Sequence, residues 1–278
     1  MGAFDAISQI YPPKPKFTEK DLPDLKGKVY IVTGSNTGVG AQLARILYSS
    51  NATVYIAARS EPKSLSAISS IRSECPSSTG QLTFLHLDLA DLSTIKASAN
   101  EFLAKEKKTK CPFQQRWCDE SASRVKNCAG PVGGIPFDNL DYHKNLGGMH
   151  KYGISKAGNY LQATEFAKRF GKEGIVSVPL NPGNLSSDLY RHQGTLLGAV
   201  LKGLVLHPPV MGAYTELFAG LSPEVTIEKS GEWIVPWGRF MKIRKDLLEA
   251  SKSEKEGGSG IAERFWEWNE EQIKDFVV

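Results

Sequence analysis

The sequence is poor in the residues that staple or metallate a small protein. Four cysteines (Cys75, Cys111, Cys118, Cys128) are scattered over 278 residues with no Cys-x-x-Cys pair. That spacing gives no disulfide framework, and His143 and His150 do not complete a zinc pattern with it. No secretory leader opens the chain, so reduced thiols and a cytoplasmic location are the expectation. Charge of one sign is also scarce. The 34 basic and 30 acidic residues leave a net charge of +4, without a long Lys/Arg block. Nucleic acid is therefore not an expected partner. Long apolar runs are absent too. The longest, Leu196–Leu206, is broken by Lys202 and falls short of the roughly 18 residues of a transmembrane segment. What remains is an ordinary globular balance, 41% hydrophobic and 23% charged, long enough for one large domain with a real core.

The order of patterns narrows the fold. Residues 1–25 read as an arm: Tyr11-Pro12-Pro13-Lys14-Pro15 cannot be helix, and no hydrophobic period stands out. Order is expected from Lys28. Val29–Val32 is a short β-branched run ending in Thr33-Gly34, a buried strand. A helix follows over Ala41–Ser50, a strand over Thr53–Ala57, a helix over Leu65–Glu74, a strand over Leu82–Leu87 and a helix over Ser93–Lys107. The alternation returns with a helix over Met149–Gly171, a strand over Ile175–Leu180, a helix over Val210–Gly220 and a short strand over Gly231–Pro236. Terminal helices are expected over Arg239–Ala250 and Ile261–Val277. Strand and helix alternating with short loops predict a single α/β domain over 26–278, a doubly wound parallel sheet of the Rossmann type.

Between the first strand and first helix lies Thr33-Gly34-Ser35-Asn36-Thr37-Gly38-Val39-Gly40. Glycines there let the backbone turn tightly and approach a pyrophosphate, while the helix start offers unpaired N–H groups. The Gly-x-x-x-Gly-x-Gly spacing resembles the short-chain dehydrogenase/reductase family and its TGxxxGxG signature. Two further segments carry the resemblance. Tyr152-Gly153-Ile154-Ser155-Lys156 matches the family's YxxxK, and Asn181-Pro182-Gly183-Asn184-Leu185-Ser186-Ser187 looks like its PGxVxT. Within the family, the sequence looks most like the branch of retinol dehydrogenases and fungal secondary-metabolism reductases. The resemblance covers roughly residues 26–110 and 131–240. It implies nicotinamide-nucleotide binding by residues 34–40, by Leu185 and Ser187, and by Asp88, the acidic residue that would contact adenine.

The second strand runs Tyr55-Ile56-Ala57-Ala58-Arg59-Ser60 and places no acid where an NAD enzyme holds the ribose 2′-hydroxyl. Arg59, with Lys63 nearby, suits a 2′-phosphate, so NADP is favoured over NAD; Glu61 argues mildly the other way, and a solvated surface would also carry such an Arg. Tyr152 and Lys156, four apart, share one helix face. A phenol titrates near pH 10 in water. An adjacent ammonium stabilises the phenolate and makes proton exchange at neutral pH easier. The family resemblance implies those roles: Tyr152 as acid/base, Lys156 as its modifier and a cofactor ligand.

One region departs from the family pattern. Between Asp88 and Tyr152 the family places a fourth strand ending Asn-Asn-Ala-Gly, a long helix with a catalytic Asn, and a fifth strand ending in the catalytic Ser. Segment 109–130 is all that is left for them, less than the roughly 30 residues such a unit needs. Val125 is its only aliphatic β-branched residue, so a normal central strand is not expected there. Asn127-Cys128-Ala129-Gly130 reads three ways: a worn Asn-Asn-Ala-Gly turn, the helix Asn motif, or the end of the Ser strand with Arg124-Val125 at its start. The third fits the downstream spacing best. It puts Gly130 at the Ser position, with Ser121 and Ser123 out of register. The central strand–helix–strand region is thus expected to be truncated at the sheet's topological switch point.

Leu196–Met211 and Ile261–Val277 are apolar and amphipathic, and a substrate lid is expected over about 190–212. Tyr190, Leu197, Val200, Leu204 and Trp237 are candidates for a hydrophobic pocket, with core packing an equal alternative. Phe265, Trp266 and Trp268 are expected on the domain's own core. The favoured function is an NADP-dependent oxidoreductase moving hydride between nicotinamide and a carbonyl or secondary alcohol of a hydrophobic small molecule. The alternative is a catalytically impaired or non-catalytic nucleotide-binding relative without the Ser. A gene product too short to fold stably is the third reading. The long family helix builds much of the subunit interface, so its loss leaves the oligomeric state open.

Overall fold

The computed structural model describes residues 3–106, 117–119, 134–186 and 206–277. Three parallel strands form the first half: β1 (Val29–Thr33), β2 (Thr53–Ala58) and β3 (Gln81–His86). Their order is β1-β2-β3, with Thr33 opposite Ala57 and Ala58 opposite His86. The register follows from β2, whose alternate side chains feed opposite faces. Val54 and Ile56 join one buried cluster with Ala44, Ile46 and Leu47. Those three lie on α2 (Gly38–Ser49). Tyr55 and Ala57 join another with Leu85 and Phe102, the latter on α4 (Ile95–Glu106) after α3 (Glu61–Glu74). The Phe102 ring meets Tyr55 edge-on at 5.0 Å between centroids. Helices thus cover both faces of a parallel sheet, the expected α/β arrangement.

The second half is a shorter parallel ladder. β4 (Trp117–Asp119) pairs with β5 (Ser177–Pro179), Trp117 opposite Ser177 and Asp119 opposite Pro179. Between them comes α5 (Gly148–Phe170), and after them α6 (Pro209–Leu221). Two-residue strands β6 (Ile234–Val235) and β7 (Arg239–Phe240) pair antiparallel, and Leu180 bridges to Ile234. Helices α7 (Lys245–Ser251) and α8 (Ile261–Val277) close the chain. Among the described residues no strand joins β1 to the β4–β5 ladder. Ile31 at the centre of β1 is 39% exposed, while β2 is buried from Val54 to Ala58. Among the described residues β1 thus has one strand neighbour at the switch point, where the shortened segment was expected to leave its mark. Among the described residues the halves meet through helix packing. Ala213 and Leu217 of α6 share one cluster with Ala44 and Leu47 of α2.

Three expectations are corrected. The segment read as an arm opens with helix α1 (Ala3–Ile10), and Leu25 is buried in the core. Order therefore begins before Lys28. The Pro-rich stretch does end the helix, as its chemistry requires. Segment 109–130 was expected to supply no normal central strand, with a strand end favoured at Arg124–Gly130; a brief strand forms upstream of that, at Trp117-Cys118-Asp119. Three residues satisfy a ladder without the four-residue apolar run that the sequence lacks. Residues 120–133, including Arg124 and Asn127–Gly130, lie outside the described residues. Third, Arg239–Ala250 is not one helix. Gly238, at φ +79°, turns the chain back so that Arg239–Phe240 pairs with Ile234–Val235, and the helix starts only at Lys245. A Cβ on Gly238 would stand 2.7 Å from Cβ of Phe218, so backbone conformation and packing both call for glycine there.

Candidate active site

The Gly-rich loop lies where β1 runs out. Gly34 (φ +64°) and Gly38 (φ +61°) adopt the left-handed region, and a Cβ on either would project into open space. Bare backbone is therefore presented on one side of the loop. The other side is pinned. Ser35, fully buried, donates its hydroxyl to the Val32 carbonyl at 2.6 Å, and Gly34 N–H donates to the Ala57 carbonyl at 2.8 Å. Gly40 sits so close that a Cβ there would lie 2.9 Å from Cα of Ser35. Helix α2 begins at Gly38 behind Thr37, whose side chain makes no capping bond. The first-turn N–H groups thus face the loop without a side-chain acceptor, the arrangement that favours an anion.

The parallel register brings the other nucleotide candidates to the same edge. Arg59 follows Ala58 directly and is exposed, as is Lys63 in the first turn of α3. Gly34 bonds back to Ala57, so Arg59 flanks the loop. Leu87 N–H donates to the Ala58 carbonyl, which sets Asp88 beside Arg59 at the third strand's end. One carboxylate oxygen of Asp88 accepts from Ala90 N–H at 3.0 Å, fixing a tight local turn.

On α5, Gly153, Ile154 and Ala157 are buried and anchor the helix, while Tyr152 and Lys156 are half-buried on an adjoining stripe. Lys156 Nζ lies over the Tyr152 ring, 5.0 Å from its centroid. The one-turn spacing thus produces direct contact between ammonium and phenol. The Asn181-Pro182-Gly183 loop leaves the carboxyl end of β5. Asn181 Oδ1 accepts from Gly183 N–H at 2.8 Å, and Gly183 (φ +97°) packs beneath Trp237. Leu185 is buried in the same cluster as Val39 of the Gly-rich loop, both against Gly212 of α6. Its side chain is committed to the core, so a ligand would meet Leu185 through its backbone. Ser187 lies outside the described residues, as do the lid residues Tyr190, Leu197, Val200 and Leu204. Trp237 is buried against His207 with ring centroids 5.0 Å apart, so it belongs to the core. Phe265 and Trp268 stack on each other, and Trp266 packs with Phe166 and Phe170.

Sequence reasoning missed Gln9. Its Oε1 accepts from Asn181 Nδ2 at 3.0 Å in a buried amide pair. The apolar spacing of Phe4, Ile7 and Ile10 was a signal for the helix, but nothing local announces its distant partner.

Comparison with known proteins decides the family. A short-chain dehydrogenase/reductase of Phomopsis amygdali is 41% identical and is covered along its full length, as is this chain. The chain belongs to the short-chain dehydrogenase/reductase family. The family model described as short chain dehydrogenase matches residues 28–109, and a short-chain dehydrogenase/reductase of Emericella nidulans is 36% identical, with 95% of this chain and 98% of the relative covered. The Phomopsis alignment runs over 333 positions, more than the 278 residues of this chain, so the relative has residues opposite gaps in it. Among solved structures, a putative uncharacterized protein from Mycobacterium paratuberculosis superposes with TM-score 0.62 at 19% identity, over 93% of this chain and 97% of that one. An NADPH-bound short chain oxidoreductase from Pseudomonas aeruginosa, described as having an atypical catalytic center, gives 0.56 at 16% identity, over 80% of this chain and all of that one. These likenesses show the fold. Membership implies an oxidoreductase with a nicotinamide cofactor. The bare loop over Gly34 and Gly38, with uncapped N–H groups behind it, fits the pyrophosphate of such a nucleotide. No helix among the described residues is long and apolar enough to cross a membrane.

Proposed function

We propose that this short-chain dehydrogenase/reductase uses NADP(H) to interconvert a carbonyl and a secondary alcohol on a hydrophobic small molecule. Arg59 carries the cofactor reading: an exposed guanidinium one residue beyond β2, beside the Gly-rich loop, on a strand whose end carries no Asp or Glu for a ribose hydroxyl. Residues 34–40 bind the pyrophosphate through backbone N–H groups. Arg59 and Lys63 pair with the 2′-phosphate, and Asp88 borders the adenine. Backbone at Leu185 and the Ser187 hydroxyl border the nicotinamide.

The bound nicotinamide supplies the hydride. Tyr152 donates its phenolic proton to the oxygen that gains charge during reduction, and takes a proton from the alcohol in the reverse direction. The Lys156 ammonium, in contact with the Tyr152 ring, favours the phenolate left behind. In the register that puts Gly130, outside the described residues, at the family serine's position, the proposal assigns the proton transfer to the Tyr152 hydroxyl alone. Loss of one such donor elsewhere costs about 3–4 kcal/mol, so turnover is expected to be slow.

The test is a titration of purified protein with NADPH and NADH, followed by thermal midpoint and nicotinamide fluorescence, then reduction assays on apolar ketones. Tighter NADPH binding with a raised midpoint, plus turnover, supports the proposal. Folded, cofactor-saturated protein that turns over no ketone would sink the catalytic reading. Preference for NADH would sink the role given to Arg59.

A further inference from the structure

Three successive residues at the end of α1 reach the loop that follows β5, or its immediate neighbours. Gln9 Oε1 accepts from Asn181 Nδ2 at 3.0 Å, with Gln9 only 6% and Asn181 5% exposed. The Ile10 carbonyl lies 3.1 Å from His207 Nε2, and the Ser8 carbonyl accepts from Arg239 Nη2 at 2.8 Å. The last carbonyls of a helix lack intrahelical partners, so the imidazole and guanidinium act as its C-terminal cap. His207 in turn holds the same loop. Its N–H donates to the Asn184 carbonyl at 2.8 Å, and its carbonyl accepts from Ser186 N–H at 2.9 Å. Asn181 is the pivot. Its N–H donates to Ile234, its Oδ1 fixes Gly183, and its Nδ2 is tied to Gln9.

We propose that α1 is a strap that sets the shape of loop 181–186, and that Gln9 is a positioning residue for the nicotinamide half of the cofactor, acting through Asn181. The inference rests on the cofactor reading above. Ligands of open α/β sheets lie beyond the carboxyl ends of the strands. Loop 181–186 leaves β5 at such an end, and its Leu185 packs on Val39 of the pyrophosphate loop. The adenylate half rests on β1–β3 and makes no call on α1. Replacing Gln9 with an apolar side chain leaves the buried Asn181 amide without its acceptor and lets the Gly183 turn drift.

The experiment compares NADPH with its adenylate half, 2′,5′-ADP, in wild type, Gln9→Leu and Gln9→Glu. In Gln9→Leu, NADPH affinity is expected to fall about tenfold while 2′,5′-ADP affinity stays unchanged. Gln9→Glu keeps an oxygen opposite Asn181 Nδ2 and should retain most of the NADPH affinity. If Gln9→Leu does not fold, Gln9→Ala gives the same comparison. Equal loss for both ligands would reduce Gln9 to a stability role, and unchanged NADPH affinity would remove any role; either overturns the inference while the cofactor reading stands. Wild type that binds neither ligand overturns the cofactor reading, and this inference with it.

Discussion

Replacing Gly40 by alanine tests the geometry of the nucleotide loop directly. Gly40 lies in the first turn of α2, where glycine is a poor helix former, so alanine alone would add up to about 1 kcal/mol. The surroundings oppose that gain. The new Cβ would stand 2.9 Å from Cα of Ser35 and 3.2 Å from the Gly34 carbonyl oxygen and Ser35 nitrogen. Ordinary carbon contacts are about 3.5–4.0 Å, and these neighbours are backbone, which cannot rotate away. Gly34 and Ser35 must shift by about half an ångström. They are pinned by the Ser35–Val32 and Gly34–Ala57 hydrogen bonds. Disturbing a buried hydrogen bond costs about 1–3 kcal/mol, so net destabilisation of about 1–2 kcal/mol is expected. For a domain of this size the midpoint should drop by roughly 2–8 °C, and NADPH affinity should drop with it. Gly220 is the control. It lies in the last turn of α6 with nothing within 4 Å of a Cβ, so Gly220→Ala should hold or slightly raise the midpoint. Gly40→Ala that matches Gly220→Ala in stability and keeps cofactor affinity would refute the close loop–helix contact.

Arg59→Ala should weaken NADPH by about 5–30-fold, the worth of one solvent-exposed charge-assisted contact, and leave NADH within twofold; fluorescence titration with both nucleotides reads this out. Tyr152→Phe should retain nucleotide affinity and lose at least about 100-fold in kcat, measured by single-turnover ketone reduction under saturating NADPH. Acid stability should depend on Glu256. The Ser253 backbone N–H, and then Lys168, hold its carboxyl down at about 2 from an ordinary 4.5. Because the folded value is depressed, its contribution is complete above pH 4.5 and is lost as pH falls toward 2. Glu256→Gln should flatten the midpoint-against-pH curve in that window and lower the midpoint at pH 7, where the carboxylate's contribution is complete in the wild type.

The parts of the fold that the sequence announced are those where one residue type has one local job. Val29–Val32 and Thr53–Ala57 are β-branched runs ending at glycine or charge, and both are strands. The glycines at 34 and 38 were placed by their spacing and do adopt positive φ. Partnership across the chain was not announced. Gln9 and Asn181 are unremarkable polar residues until folding brings two amides together in a buried place. The Arg239 segment looked helical because its apolar spacing continues into Leu247, and the turn at Gly238 was the overlooked signal. Trp117–Asp119 escaped because three residues carry no period, although parallel pairing needs no more than that.

Gly212 has a consequence that reaches beyond its own turn of α6. A Cβ there would lie 2.3 Å from Leu185 Cδ1 and 3.2 Å from both γ-carbons of Val39. Under the proposed function Leu185 borders the nicotinamide and Val39 the pyrophosphate, and no described strand spans the two. Hydrogen-bonded ladders come in fixed steps, whereas packed helices slide by fractions of an ångström with side-chain volume. On that proposal, the separation between where a dinucleotide is gripped and where it reacts depends on a hydrogen at Gly212 standing where a methyl group would clash. Enlarging that one position would respace the two ends without altering a residue at either.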